Sequence, residues 1–175
     1  MIKNLLLTGQ PGIGKTMIVR KLSEIFKEFN PSGFYTSEIT EDGVRKGFLI
    51  ASLYGDARIF SHMNLKSKYT VGKYHIDLKG FENLLDSVFS KDKKTGLFFI
   101  DEIGKMECQS RKFCRLILEI LNSEKPVVAT IAEKGTDTIS DIKRRRDIKL
   151  VEITPDNRDL MLKELTMEIR DLLLE

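Results

Sequence analysis

The sequence predicts a three-layer α/β domain with a mainly parallel sheet. Short, nearly continuous apolar runs, typical of strands buried on both faces, alternate with segments in which apolar residues recur every three or four positions. A glycine-rich loop joins the first apolar run to the first amphipathic segment, which is typical of a strand–loop–helix unit. This alternation favours parallel strands with helices on both faces of the sheet.

The N-terminal half is predicted to contain two strands, a helix and a hairpin. These elements are, in order, a strand over residues 3–8, a helix over 15–29, a strand over 34–39, and a β-hairpin with strands over 47–53 and 57–60. Asn30-Pro31-Ser32-Gly33 ends the helix, and Tyr54-Gly55-Asp56 forms the turn of the hairpin. We expect the hairpin to be an antiparallel addition to the sheet.

The C-terminal half continues the alternation. Its predicted elements are a helix over 81–89, a strand over 97–100, a helix over 113–121, strands over 126–131 and 149–153, and a helix from about residue 156. Thr154-Pro155 is a favourable start for the last helix, because the fixed φ of proline suits a first helical turn.

Length and composition indicate one domain that spans residues 1–175. Hydrophobic residues make up 41% and charged residues 31%, which excludes a disordered chain. No apolar run approaches the roughly 20 residues of a membrane span, and the N-terminus shows no secretory signal pattern. We therefore expect a cytoplasmic protein with no membrane partner.

The net charge of +3 is concentrated in one segment. Residues 143–149 carry five basic side chains and one acid, so this segment holds +4 and the rest of the chain −1. A patch this small predicts no nucleic-acid partner. Cys108 and Cys114 match no zinc or redox spacing, and on one helix they would point about 240° apart, so we expect reduced thiols.

Residues 9–16 match the phosphate-loop pattern G-x-x-x-x-G-K-[ST] in full, as Gly9-Gln10-Pro11-Gly12-Ile13-Gly14-Lys15-Thr16. The glycines allow backbone N–H groups to turn around a phosphate, and the helix N-terminus adds further donors. Lys15 supplies a charge to the β- and γ-phosphates, and Thr16 offers its hydroxyl to Mg²⁺. The motif therefore predicts a nucleoside-triphosphate site with Mg²⁺ as cofactor.

Two acids follow the strand over residues 97–100. Parallel strands deliver their carboxyl ends to one edge of the sheet, so Asp101 and Glu102 are expected beside the phosphate loop. Asp101 is then placed to hold Mg²⁺ together with Thr16. Glu102, a second carboxylate beyond it, can orient and polarise a water for attack on the γ-phosphate.

The acidic pair begins the segment Asp101-Glu102-Ile103-Gly104-Lys105-Met106-Glu107, and further distinctive segments lie at residues 33–38, 71–74, 81–84 and 154–158. In these segments the chain resembles the cancer-related and thermophile-type nucleoside-triphosphatase family, and residues 101–107 are similar to the family signature. The resemblance implies slow, Mg²⁺-dependent hydrolysis of ATP, GTP, CTP and other nucleoside triphosphates to the diphosphate and phosphate, with low base selectivity.

The resemblance also implies a P-loop NTPase fold with strand order 5-1-4-3-2. The strand over residues 126–131 then lies between the phosphate-loop strand and the acidic strand, with Thr130 as a γ-phosphate sensor. Two positions depart from the family pattern. Ser37 stands where the family often has Glu, which leaves Glu38 as the acid there, and Cys108 replaces an apolar residue.

Four further residues have both a functional and a simpler interpretation. Lys105 either reaches a phosphate or pairs with Glu107, or it is a solvated lysine in a loop. Arg145 either stabilises charge in the transition state, as a catalytic residue beside Glu102 and Lys15, or belongs to a solvated basic helix. Asn157 and Arg158 follow the last strand and either contact the base or form the polar first turn of a helix.

Three classes of function remain in competition at this point. The first is a nucleoside-triphosphatase that uses Glu102 to activate water. The second is a P-loop kinase that transfers the γ-phosphoryl to a small acceptor, with the basic run over residues 143–146 as its mobile lid. The third is a nucleotide-dependent switch or motor subunit, although the chain contains no N-K-x-D and no L-S-G-G-Q stretch. We favour the first, as a monomer or weak oligomer.

Overall fold

The computed structural model describes residues 1–55, 57–90 and 94–174, and it shows strands and helices alternating along them. The strands are β1 Asn4–Thr8, β2 Ser32–Glu41, β3 Val44–Ser52, β4 Ala57–His62, β5 Thr70–Val71, β6 Tyr74–Ile76, β7 Phe98–Ile103, β8 Val127–Ile131 and β9 Ile148–Glu152. The helices are α1 Lys15–Ile25, α2 Leu78–Val88, α3 Arg111–Asn122, α4 Asp137–Lys143 and α5 Arg158–Leu174. Asp56, predicted in the hairpin turn, lies outside the described residues.

The strands form a nine-stranded sheet in the order β5-β6-β4-β3-β2-β7-β8-β1-β9. The strands β9-β1-β8-β7-β2 pair in parallel, and this part of the sheet has the expected order 5-1-4-3-2. From β2 outward, β3, β4, β6 and β5 pair antiparallel. The prediction of a mainly parallel sheet with one added hairpin is therefore wrong in detail, because the sheet is mixed and its antiparallel part has four strands.

The antiparallel part begins at a tight turn between β2 and β3. Asp42 and Gly43 form this turn, and both have positive φ, at 50° and 74°. An Asp-Gly pair favours a two-residue hairpin turn, because both residues tolerate the left-handed conformation that such a turn requires. The sequence thus contained a signal for this hairpin, which the prediction of a strand ending at Ile39 missed.

Helices cover both faces of the parallel strands and explain their apolar sequences. In β1, Leu6 packs with buried residues of α2 and α3, whereas Leu5 and Leu7 pack with buried residues of α1 and α5. Successive strand residues point to opposite faces, so a strand between two helical layers must be apolar at every position. Across the described ranges, no helix combines the length and apolar character that crossing a membrane requires.

The parallel strands give the sheet two chemically different edges. Residues 9–16 follow the carboxyl end of β1, and Asp101 and Glu102 lie near the carboxyl end of β7. The basic run precedes β9, so it lies at the opposite, amino-terminal edge. Five residues of a strand span about 16 Å, which separates this edge from the phosphate loop.

At the amino-terminal edge, Arg145 is bound by other parts of the chain. Its guanidinium donates hydrogen bonds of 2.7 and 2.9 Å to Asp147, 2.9 Å to Asn122 Oδ1 and 3.3 Å to the Leu121 carbonyl. The Asp147 carbonyl in turn accepts from the backbone N–H of Asn4, at the start of β1. This position corrects the sequence-based expectation of a catalytic Arg145, because its contacts hold it at the edge opposite to Lys15.

We predict that Arg145→Ala lowers stability and leaves turnover unchanged. The variant loses several charge-assisted hydrogen bonds, so the free energy of unfolding should fall by about 1–3 kcal/mol. Urea denaturation beside a kcat measurement tests this, with the exposed Arg144→Ala as the matched control. A large loss of kcat in a folded Arg145→Ala protein would restore the catalytic role.

The same pair predicts a pH dependence of stability. Hydrogen bonds from Arg145 hold the pKa of Asp147 below its ordinary value, which is about 3.9. A lowered carboxyl pKa stabilises the fold above the unfolded value, and this contribution is lost as the pH falls through the folded value. The stability difference between the native chain and Arg145→Ala should therefore shrink below about pH 4.

Candidate active site

The phosphate loop connects β1 to α1, as the motif predicts. Gly9 packs so closely against the end of the last strand that a Cβ would lie 2.5 Å from the Ile153 carbonyl oxygen. Gly14 caps α1 in the left-handed conformation, with φ of 112°. The first turn of α1 contains no acidic side chain, so its N–H groups and the helix dipole favour an anion in the loop.

The remaining loop residues have distinct places. Gly12 and Pro11 line the cavity in front of the loop, and Gln10 is exposed. Ile13 points inward and packs against the apolar cluster beneath α1 and α5. The Lys15 ammonium donates hydrogen bonds of 2.6 Å to the Gly9 carbonyl and 2.9 Å to the Gln10 carbonyl. The Lys15 side chain thus folds back over the phosphate loop.

Asp101 is the buried centre of the site, with 3% of its surface exposed. One carboxylate oxygen accepts a 2.7 Å hydrogen bond from the Thr16 hydroxyl, and the other accepts a 2.6 Å bond from the Thr130 hydroxyl. The backbone N–H of Thr36 donates a third bond. Burial raises the pKa of Asp101, while these bonds and the charge of Lys15 oppose that rise.

The buried position of Thr130 does not match the expected role of a γ-phosphate sensor. Thr130 is fully buried in β8, and its hydroxyl donates to Asp101. Because β8 lies between β1 and β7, this bond links the acidic strand to the strand beside the phosphate loop. Thr130 therefore positions Asp101, which sequence spacing alone did not indicate.

Glu102 lines the same cavity as Lys15 and Thr16. Burial raises the pKa of Glu102, the charge of Asp101 raises it further, and Lys15 lowers it. A Cβ on Gly104 would lie 2.6 Å from a Glu102 carboxylate oxygen, so the glycine leaves room for this side chain. The carboxyl group of Glu102 is therefore held beside the phosphate loop in a partly desolvated environment.

Glu107 approaches the same side of Gly104 as Glu102, and its burial was not predicted from the sequence. A Cβ on Gly104 would lie 2.8 Å from a Glu107 carboxyl oxygen, and only 3% of Glu107 is exposed. Burial first, and then the charge of Glu102, raise the pKa of Glu107 well above its ordinary value, which favours its protonated form. The backbone N–H of Gly104 is a hydrogen-bond donor to it.

The cavity in front of the phosphate loop has a volume of about 900 Å³, within the range of small-molecule sites. Besides the loop and the two acids, its lining includes side chains from α1, β2, β3 and the segment after β8: Arg20, Lys21, Glu38, Arg45, Phe48, Glu133 and Lys134. A smaller cavity of about 190 Å³ adjoins it and is lined in part by Lys105 and Glu107. Exposed Lys105 thus belongs to the smaller cavity.

Asn157 and Arg158 do not line either cavity. The Asn157 side chain accepts a 2.8 Å hydrogen bond from the Thr154 backbone N–H and donates one of 2.8 Å to the Glu152 carbonyl, so it shapes the turn into α5. Arg158 is exposed and forms a 3.5 Å ion pair with Asp159. Contact of these two residues with a base remains a prediction.

Cys108 and Cys114 do not share one helix, which the expected separation of about 240° assumed, and they lie close together. Cys108 belongs to a 3₁₀ turn over Glu107–Gln109, and Cys114 to the helix α3 that follows. The Cys114 thiol lies 3.6 Å from the Cys108 carbonyl oxygen. Both are free, and burial raises the pKa of Cys108 to about 12, which makes it a weak nucleophile.

Comparison with known proteins finds similar sequences over most of the chain. A family model described as NTPase matches residues 4–166. The nucleoside-triphosphatase THEP1 of Thermotoga sp. (strain RQ2) is 43% identical over 154 residues, which is 87% of both chains. The cancer-related nucleoside-triphosphatase of Homo sapiens is 34% identical over 173 residues, covering 90% of this chain and 91% of that one.

Two solved structures share the fold over nearly the whole chain. The crystal structure of THEP1 from Aquifex aeolicus superposes with a TM-score of 0.83 at 34% identity, covering 95% of this chain and 98% of that one. The solution structure of the human cancer-related nucleoside triphosphatase gives 0.81 at 31% identity, covering 97% and 98%. With the family model matching most of its length, the chain belongs to the NTPase family.

Proposed function

We propose that the chain hydrolyses nucleoside triphosphates to the diphosphate and phosphate, with Mg²⁺ as cofactor and low selectivity for the base. The observation that carries the proposal is the meeting of Lys15, Thr16, Asp101 and Glu102 at one cavity. The names of the family's relatives, which are nucleoside-triphosphatases, support the reaction.

Triphosphate binding requires an exchange of partners at Lys15. Its ammonium is bonded to two loop carbonyls, and a β- or γ-phosphate oxygen is a stronger partner because it is charged. The loop N–H groups and the start of α1 supply further donors to the same anion. The binding energy therefore comes mainly from contacts with the triphosphate, and these contacts do not distinguish one base from another.

The oxygen donors of Thr16 and Asp101 fit Mg²⁺, which prefers hydroxyl, carboxylate and phosphate oxygens. The two side chains are already 2.7 Å apart, so they can contribute to one coordination site. Among the described residues, no group of three or more His, Cys, Asp or Glu side chains is arranged so that it could hold a metal ion by itself, so the nucleotide and water would complete the ligand set. A bound Mg²⁺ would neutralise charge on the β- and γ-phosphates.

Glu102 is suited to activate the attacking water. Its carboxylate accepts a proton from the water, the water oxygen bonds to the γ-phosphorus, and the bond from that phosphorus to the bridging oxygen breaks. The diphosphate leaves with the bridging oxygen. Burial strengthens the carboxylate as a base by raising the pKa of Glu102.

The kinase alternative has lost the observation that favoured it. It rested on a mobile lid over residues 143–146, whereas Arg145 is bound at the opposite edge of the sheet. Phosphate release measured with each nucleoside triphosphate and Mg²⁺, and without any acceptor, decides between the two. Release that requires an added nucleoside would contradict hydrolysis and support the kinase.

Lys15→Ala should weaken triphosphate binding by about 10- to 100-fold, which is the loss of one charge-assisted contact. Equilibrium titration with a non-hydrolysable ATP analogue measures this change. Lys163→Ala on the exposed face of α5 is the matched control. Normal binding and hydrolysis by Lys15→Ala would mean that the site is elsewhere.

Glu102→Gln should retain nucleotide affinity and lose turnover by at least about 10²-fold, since the amide cannot accept the proton. Asp101→Asn should instead change the Mg²⁺ concentration needed for activity. Steady-state kinetics of both variants, with exposed Glu119→Gln as control, separate the two roles. Unchanged turnover in Glu102→Gln would mean that another group accepts the proton from the attacking water.

ATP, GTP and CTP should be hydrolysed with kcat/KM values within about tenfold of one another, or about 1.4 kcal/mol. The reason is that the recognised chemistry lies on the triphosphate and no base-reading motif is present. Phosphate release under the same conditions for each nucleotide tests this expectation. A hundredfold preference for one base would show that a base-specific contact exists.

A further inference from the structure

The antiparallel part of the sheet contributes an arginine to the cavity. Arg45 lies near the start of β3 and lines the same 900 Å³ cavity as Lys15 and Glu102. β3 lies beside β2, which pairs with the acidic strand β7, so Arg45 approaches from the side of Glu102. Arg45 pairs with Thr40 of β2, four residues beyond Thr36, so its backbone lies about 13 Å further along the strand direction than Thr36, and its long side chain lines the cavity from there.

Contacts within the sheet extension hold the guanidinium of Arg45 in place. Its Nη1 donates a 2.9 Å hydrogen bond to Glu38, and its Nε donates a 3.0 Å bond to the Tyr74 hydroxyl. The guanidinium also lies 5.1 Å from the centre of the Phe48 ring and 5.8 Å from that of Tyr74. Glu38, the acid of the segment over residues 33–38, thus has a defined partner.

This arrangement leaves part of Arg45 available to a ligand. Nη2 makes no hydrogen bond to any of the residues that the structure describes, and 42% of the side chain is exposed. The hydrogen bonds to Tyr74 and Glu38 raise the pKa of Arg45, so the group stays charged. An exposed pair with Glu38 is weak, so a phosphate can compete for the same guanidinium.

The other cations of the cavity differ in placement. The Arg20 guanidinium lies 4.2 Å from the centre of the Tyr35 ring, over the face of the sheet that α1 covers. Lys21, on α1, and Lys134, after β8, offer point charges without the planar fork that matches phosphate oxygens. Arg45 alone among these four combines that fork with hydrogen bonds that hold it at the cavity, on the side where β2 and β3 lie.

We propose that Arg45 is a catalytic residue that contacts the γ-phosphate and stabilises the charge that develops there during hydrolysis. The arginine comes from the same chain, through the hairpin whose turn is Asp42-Gly43. This inference rests on the proposed function, because it needs a triphosphate held by Lys15. Glu38 and Tyr74 are positioning residues that act through Arg45.

Arg45→Ala should lower kcat by at least about 10²-fold with KM within about threefold, because arginines at the γ-phosphate are worth 10³- to 10⁵-fold in related chemistry. Arg58→Ala, an exposed arginine of the neighbouring strand β4, is the matched control and should leave kcat unchanged. Millimolar guanidinium should restore part of the rate in Arg45→Ala and none in Glu102→Gln. Such rescue would not follow from a purely structural role.

A binding readout complements the kinetics. Arg45→Ala should bind ADP as the native chain does, yet fail to form the tight ADP–aluminium fluoride complex that mimics the transition state. A folded Arg45→Ala with native kcat and native aluminium fluoride binding would overturn the proposal. If Arg45→Ala does not fold, Arg45→Lys serves instead, and it should lose kcat with partial retention of the complex.

The outcomes for Arg45 and for the proposed function are separable. If the native chain releases no phosphate from any nucleoside triphosphate, the proposed function fails and the role of Arg45 in it fails as well. If the native chain hydrolyses and Lys15→Ala does not, while Arg45→Ala hydrolyses at the native rate, only the inference about Arg45 is overturned.

Discussion

The carboxylate of Asp101 holds the catalytic edge of the sheet together. Its three donors are the hydroxyls of Thr16 and Thr130 and the backbone N–H of Thr36, so they come from α1, β8 and β2. A buried carboxylate without donors would cost several kcal/mol, and the fold therefore depends on these segments reaching Asp101 at the same level. The same bonds fix the distance between the phosphate loop and Glu102.

In this structure the groups proposed to bind the triphosphate already have hydrogen-bond partners within the chain, apart from Nη2 of Arg45, which has none among the described residues. Lys15 is bonded to loop carbonyls, Thr16 to Asp101, and Arg45 to Glu38 and Tyr74. Substrate binding therefore replaces existing hydrogen bonds with bonds to the ligand. At Lys15 the charged phosphate oxygens are stronger acceptors than the two loop carbonyls, which favours the exchange there.

Local motifs made the phosphate loop and the acidic pair predictable, because their chemistry lies in consecutive residues. Long-range pairing decided the features that sequence reasoning missed or misplaced. Thr130 reaches Asp101 only because β8 inserts between β1 and β7, and the amino-terminal edge that holds Arg145 exists only in the folded sheet. The Asp42-Gly43 turn had a sequence signal, whereas an arginine such as Arg45 in a half-exposed strand has none.

The most direct test is a crystal structure of the chain with Mg²⁺, ADP and aluminium fluoride. We expect the diphosphate in the loop over residues 9–16, with the Lys15 ammonium moved from the Gly9 and Gln10 carbonyls onto the ligand. The fluoride should lie between Lys15 and Glu102. A nucleotide bound elsewhere, or Lys15 still bonded to both carbonyls beside a bound nucleotide, would contradict a triphosphate site built on Lys15, Asp101 and Glu102.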